Sequence, residues 1–129
     1  MRHNITLTIT SLLSILLMSF HLTQDVLHGA DDPKGIKVAV LILLVWMCGT
    51  VMLAGRGWGY VITLLGGLFA AGMPVLHTMG ASPVRWGFFF VWTLYALGVT
   101  GALAAILSVI GMWKLRSKRQ AAAPASSSP

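Results

Sequence analysis

Apolar and polar positions alternate along this chain in long blocks rather than residue by residue. Apolar blocks run from Ile5 to Thr23, from Ile36 to Ala54, from Trp58 to Met79 and from Gly87 to Trp113. Each approaches or exceeds the roughly 20 residues that a helix needs to cross a hydrocarbon core. No block shows the two-residue alternation of a membrane barrel, and Leu, Ala, Met and Gly outnumber the β-branched residues that strands favour. The pattern predicts an all-α fold: an integral membrane four-helix bundle with spans over about 5–28, 36–54, 58–79 and 84–113, forming one domain over 1–113.

Helix punctuation falls between the blocks. Gly29 suits the left-handed position after the first helix. Asp32-Pro33 reads as an N-cap with proline at the first helical position. Gly55-Arg56-Gly57 separates spans two and three, Gly80 ends the third, and Ser82-Pro83 opens the fourth. Links this short make neighbouring helices antiparallel. The first block has the basic start of a signal sequence, but no small-x-small site follows it, so it is read as a retained span.

Composition supports the same picture. The 129 residues are 57% hydrophobic and only 9% charged, too few polar groups to cover a water-soluble domain, which carries about 25% charged residues. One cysteine, Cys48, excludes an intrachain disulfide framework and a cysteine-based zinc site.

The net charge of +6 is unevenly placed. With the N-terminus inside, Arg2, Arg56, Lys114, Arg116, Lys118 and Arg119 fall on one side and Lys34, Lys37 and Arg85 on the other. This asymmetry places both termini in the cytoplasm. Asp25, Asp31 and Asp32 all fall on the outer side and balance its bases. The excess positive charge therefore faces a lipid surface, and nucleic acid is not an expected partner. Residues 114–129 read as a basic juxtamembrane segment and a disordered tail. Lys114, Arg116, Lys118 and Arg119 serve first as a topology anchor, with anionic lipids as the alternative partner.

Candidate chemistry is sparse. No Asp, Glu, Lys or Arg occupies the middle of a span, which counts against a proton-coupled exporter. No hydrolase, metalloprotease, redox or nucleotide-binding motif is present. The informative residues are His21, Asp25 and His28, spaced i, i+4 and i+7 on one helical face, with Ser14 two turns inward. His77 falls at the same depth on the third span, where Pro74 is expected to kink the helix and aim it inward. Imidazole and carboxylate at this spacing are competent ligands for a transition metal, and two histidines on different helices could hold a haem iron. The competing reading is structural: His28 complements a helix C-terminus, Asp25 pairs with Lys34, Lys37 or Arg85, and His21 and His77 bond backbone or water.

Trp46, Cys48 and Thr50 carry no assigned chemistry, with Cys48 read as inert packing. Gly66/Ala70, Gly67/Ala71, Gly98/Ala102 and Gly101/Ala105 are small-xxx-small pairs that build either the bundle or a homo-oligomer. Trp58, Tyr60 and Trp113 are read as an inner aromatic belt and Trp86 as an outer one, while Phe88-Phe89-Phe90 with Trp92 and Tyr95 serves lipid contact and packing.

The stretches His21–Gly29 (HLTQDVLHG) and Phe88–Gly101 (FFFVWTLYALGVTG), with Gly59-Tyr60-Val61-Ile62 and Pro74-Val75-Leu76-His77 between them, carry a resemblance. The chain resembles a group of small bacterial four-span membrane proteins to which no activity is assigned. The resemblance implies a four-helix fold in a bacterial plasma membrane. Three functional readings follow: an accessory or interaction protein, a metal- or haem-binding membrane protein with an outward-facing His/Asp site, and a small oligomeric transporter.

The charge asymmetry yields a direct test. A reporter fused after Lys118 should behave as cytoplasmic, and one inserted between Ala30 and Gly35 as external. The opposite behaviour at both sites would overturn this topology.

Overall fold

The computed structural model describes residues 2–27, 33–80 and 87–122. These residues form four helices, α1 (Arg2–Leu27), α2 (Pro33–Val51), α3 (Gly57–Gly80) and α4 (Phe88–Ala122), with no strand among them. All four are long and apolar enough to cross a membrane.

The boundaries follow local chemistry. α2 opens on Pro33, whose fixed φ suits a first helical position, three residues earlier than the apolar block alone predicts. It ends at Val51 rather than Ala54 because a tight turn takes over: Arg56 N–H donates to Leu53 O at 3.0 Å and Gly55 adopts a left-handed φ of 77°. α4 starts at Phe88, later than the expected 84, directly after Gly87 at φ 88°. Its other end runs past Trp113 to Ala122, because the segment from Lys114 to Ala122 contains good helix formers and neither glycine nor proline. The basic segment is therefore helical up to Ala122. The remainder of the expected disordered tail, together with Gly29, Asp32, Ser82-Pro83 and Trp86, lies outside the described residues.

Contacts along the helices settle their directions. Near one end, Tyr60 Oη donates to Asn4 Oδ1 at 2.7 Å and His3 Nε2 lies 3.1 Å from Leu107 O. Near the other end, His21 meets His77 and Phe90. So α1 runs parallel to α3 and antiparallel to α4. Gly49 packs on Ile62 and Trp46 on Gly66, which sets α2 antiparallel to α3, and Ser11 meets Trp46 and Thr50 in the middle of the bundle. The result is an up-down-up-down bundle.

Lipid supplies no hydrophobic drive for these helices to associate, so close backbone packing has to. A Cβ built on Gly67 would lie 2.7 Å from Gly101 O, and one on Gly101 would lie 2.8 Å from Gly67 O. The α3 and α4 backbones thus touch through these glycines, with Ala105 beside them. Gly98 faces the Pro74 ring at 2.7 Å on the same measure, Gly66 receives the Trp46 indole, and Gly111 receives the Tyr60 ring. All five glycines are covered from within the chain. Of the two uses left open for the small-residue pairs, the bundle accounts for these glycine contacts. Ile15, Leu17, Met18, Trp46, Ala70 and Leu97 fill the core. The large apolar side chains on the outside, such as Leu16, Leu44, Leu65 and Val99, form the surface that lipid chains cover.

α2 buries only Trp46, Gly49 and Thr50, and a small polar network ties it down. Trp46 Nε1–H donates to Ser11 Oγ at 2.9 Å, and Thr50 Oγ1–H donates to Trp46 O at 2.9 Å. The Thr50 hydroxyl hydrogen being committed, the 2.8 Å contact between Ser11 and Thr50 is completed by the Ser11 hydroxyl donating. Two expectations are corrected here. Tyr60 is no belt residue: Gly111 gives its ring room inside the bundle, where it is 5% exposed. Cys48 is exposed, because the inward face of α2 at this level is taken by Trp46 and Thr50.

Backbone contact at Gly67 and Gly101 predicts an ordering of variants. Gly67→Leu or Gly101→Leu should destabilise the detergent-solubilised protein by roughly 2 kcal/mol or more, as expected for overpacking. Leu65→Ala, on the 62% exposed outer face, should cost under about 0.5 kcal/mol. Equal effects in thermal unfolding would place these glycines against lipid.

Candidate metal centre

The inward stripe of α1 is built as helical spacing requires. Ser11, Ser14, His21 and Asp25 are all buried on one face. Ser14 satisfies itself by donating to Thr10 O at 3.0 Å, so it takes no part in the cluster nearer the end of the helix. His21, one turn before Asp25, is 1% exposed.

The antiparallel packing of α3 on α4, with α1 laid across both, brings His77 to this level. The His21 and His77 rings lie 4.6 Å apart, centre to centre, inclined at 73°. Asp25 Oδ2 is 3.4 Å from His21 Nε2 and 3.8 Å from His77 Nε2. Donor atoms from His21, Asp25 and His77 all fall within 4.8 Å of one another. Phe90 of α4 walls the cluster, 5.1 Å from the His21 ring and 5.7 Å from the His77 ring.

His77 is oriented by its own helix. Its Nδ1 lies 3.1 Å from Met73 O. A carbonyl only accepts, so Nδ1 carries the hydrogen, and in the neutral ring Nε2 turns a lone pair toward Asp25. A backbone carbonyl bonded to the far nitrogen is the usual support of a metal-binding imidazole. α3 continues helically through Pro74, whose ring packs on Gly98.

His21 differs. Both of its ring nitrogens are buried with no hydrogen-bond partner among the described residues, and the 3.4 Å approach to Asp25 is not aligned as a hydrogen bond. Leaving a buried polar group unsatisfied costs about 1–3 kcal/mol. A cation between His21, Asp25 and His77 would take one of these two nitrogens and remove that share of the penalty. Ligands held about 2.1 Å from a tetrahedral ion lie roughly 3.4 Å apart, close to the two carboxylate–imidazole distances, so small side-chain rotations would complete a three-ligand site. Haem does not fit. A porphyrin must lie between its two axial imidazoles, and rings in edge contact leave no slot for one.

Of the sequence candidates, the structure joins His21, Asp25 and His77, while His28 and Arg85 lie outside the described residues. Sequence reasoning missed Phe90 as part of the site. It is 1% exposed, and its signal was available: Phe90, Leu94, Leu97, Gly101, Ala104 and Ser108 recur at three- and four-residue steps along one buried face of α4. Comparison with protein-family models, with curated proteins and with solved structures finds no match to this chain.

The unsatisfied imidazole has a measurable consequence. In chelator-treated protein, His21→Leu should unfold at or above the wild-type temperature, because an apolar side chain of similar volume relieves the orphaned nitrogens. A fall of several degrees would show that the imidazole is satisfied within the bundle.

Proposed function

We propose that this protein binds a divalent transition-metal ion through His21, Asp25 and His77 at one end of its membrane bundle. The observation that carries the reading is the buried His21 ring, both nitrogens without a hydrogen-bond partner among the described residues, set within reach of a carboxylate and a second imidazole from another helix. Two imidazoles and one carboxylate are a hard-to-borderline donor set. They suit zinc and equally iron(II), and they exclude the soft all-thiolate sites of copper(I). Three protein ligands leave a coordination position for water or an incoming ligand.

The setting follows from the charge pattern. Arg2 and Arg56 share an end of the bundle with the basic C-terminal half-turns of α4, while the His/Asp cluster occupies the other. Applied to the plasma membrane of a bacterium, where the four-span resemblance puts the chain, the positive-inside rule makes the basic end cytoplasmic. Both termini are then cytoplasmic, and the metal centre opens on the outer face. His77 is the entry side, its side chain 27% exposed against 2% for His21.

The test is metal stoichiometry. Full-length protein in mild detergent, stripped with chelator and titrated with zinc, should take up one equivalent. Cobalt(II) in its place should give the visible absorption of a four-coordinate N/O site. His21→Ala, His77→Ala and Asp25→Asn should each weaken zinc binding at least about tenfold, the loss typical when one ligand or its support is removed. Variants that unfold earlier yet retain the wild-type stoichiometry would make the cluster structural only.

A further inference from the structure

The basic end carries a second group of charged residues, independent of the metal reading. Once α4 is seen to stay helical to Ala122, the four bases after Trp113 no longer form one undivided cluster. They separate onto two faces. Lys114 and Lys118 line a groove of about 470 Å³ with His3, Asn4 and Tyr60. Arg116 and Arg119, one turn apart, line a different groove of about 670 Å³ with Arg56 from the α2–α3 turn. Trp58, Val61, Met112 and Leu115 wall that second groove together with Gly55 and Gly57.

We infer that the groove of Arg56, Arg116 and Arg119 holds the phosphate headgroup of one anionic phospholipid, with its acyl chain descending along Val61 and Met112. Three features on two helices support this occupant. First, among the described residues no side-chain carboxylate answers the three guanidinium groups: the one described acid, Asp25, sits at the opposite end of the bundle. Guanidinium groups match phosphate oxygens bidentately, which ammonium groups do not. Second, the groove is amphipathic in the direction a lipid requires. Its charged rim comes from the α2–α3 turn and the extension of α4, and its apolar floor comes from the membrane-spanning parts of α3 and α4. Trp58 stands beside it, 74% exposed, as an interfacial tryptophan does. Third, Arg56 O accepts from Tyr60 N–H at 3.2 Å, so Arg56 caps α3, and the positive end of that helix adds to the field of the groove.

The two-groove geometry supplies its own control. Arg56→Gln/Arg116→Gln and Lys114→Gln/Lys118→Gln remove the same charge from the same end of the molecule, so topology and net charge change alike. Native mass spectrometry of the purified full chain, titrated with phosphatidylglycerol or phosphatidylcholine, reads retained lipid directly. Wild type should retain one phosphatidylglycerol in preference to phosphatidylcholine. The arginine pair should lose that preference on the order of tenfold, and the lysine pair about twofold or less, with helical content by circular dichroism unchanged in both. Equal losses in the two variants would reduce the effect to bulk charge and overturn the site. So would equal retention of the two lipids by wild type. Displacement of the bound lipid by an equal concentration of glycerol 3-phosphate would also overturn it, showing a site for free phosphate rather than a lipid. If the arginine variant loses helical content, Arg119→Gln alone, on the exposed extension of α4, decides by the same measure.

Discussion

A helix in hydrocarbon can send a polar side chain only inward, and α1 carries more polar side chains than any of its neighbours can ignore. That constraint organises the bundle. Along one face, Asn4 accepts from Tyr60 of α3, Ser11 engages Trp46 and Thr50 of α2, and His21 lies against His77 of α3 and Phe90 of α4. His3 adds a contact to Leu107 O of α4. Each of the other helices is therefore registered against α1 by a polar contact at a particular depth. Such contacts are worth only about 0.6 kcal/mol each on average in membrane proteins, so their main effect is on register rather than on total stability.

The bulk of the association lies elsewhere, in the α3–α4 seam. With Gly67 and Gly101 in backbone contact and Gly98 under Pro74, the two helices approach more closely than any larger side chain would allow. Dispersion between close-packed atoms replaces the hydrophobic effect that lipid does not supply. The seam also serves the site. It holds His77 and Phe90, from two different helices, at one level, so that α1 needs only to lie across them for His21 and Asp25 to meet His77.

The two ends of the molecule are chemically unlike. One gathers two imidazoles and a carboxylate, a donor set for a cation, partly closed off by Phe90. The other gathers guanidinium and ammonium groups with no side-chain carboxylate among the described residues, divided by the α4 helix into two faces. Between them, interior hydroxyls bond their own helix, as those of Ser14, Thr93 and Ser108 do, or join the Ser11 network with the Trp46 indole. Among the described residues, hydroxyls rather than ionisable groups thus lie between the two polar ends.

Helix number, membrane placement and the charge difference between the ends were legible in the sequence, because each depends on local composition: block length against bilayer thickness, and the positions of a few charges relative to the blocks. The common face of His21 and Asp25 was legible too, since helical geometry alone sets it. Other features needed the tertiary structure. The extent of α4 beyond Trp113 could not be read from hydropathy, which drops at Lys114 although helix propensity does not. Tyr60 reads as a belt residue until Gly111 is seen opposite it, and Phe90 reads as one aromatic among several until its helix face is known. The small-residue pairs would serve a homo-oligomer as well as a bundle, and only the backbone contact of Gly67 with Gly101 and the positions of Trp46 and Pro74 show that the bundle uses their glycines. Above all, the meeting of His77 with His21 and Asp25 depends on how three helices rotate about their axes. Rotation is set by packing among side chains distant in sequence, the one quantity that periodicity along a single helix does not contain.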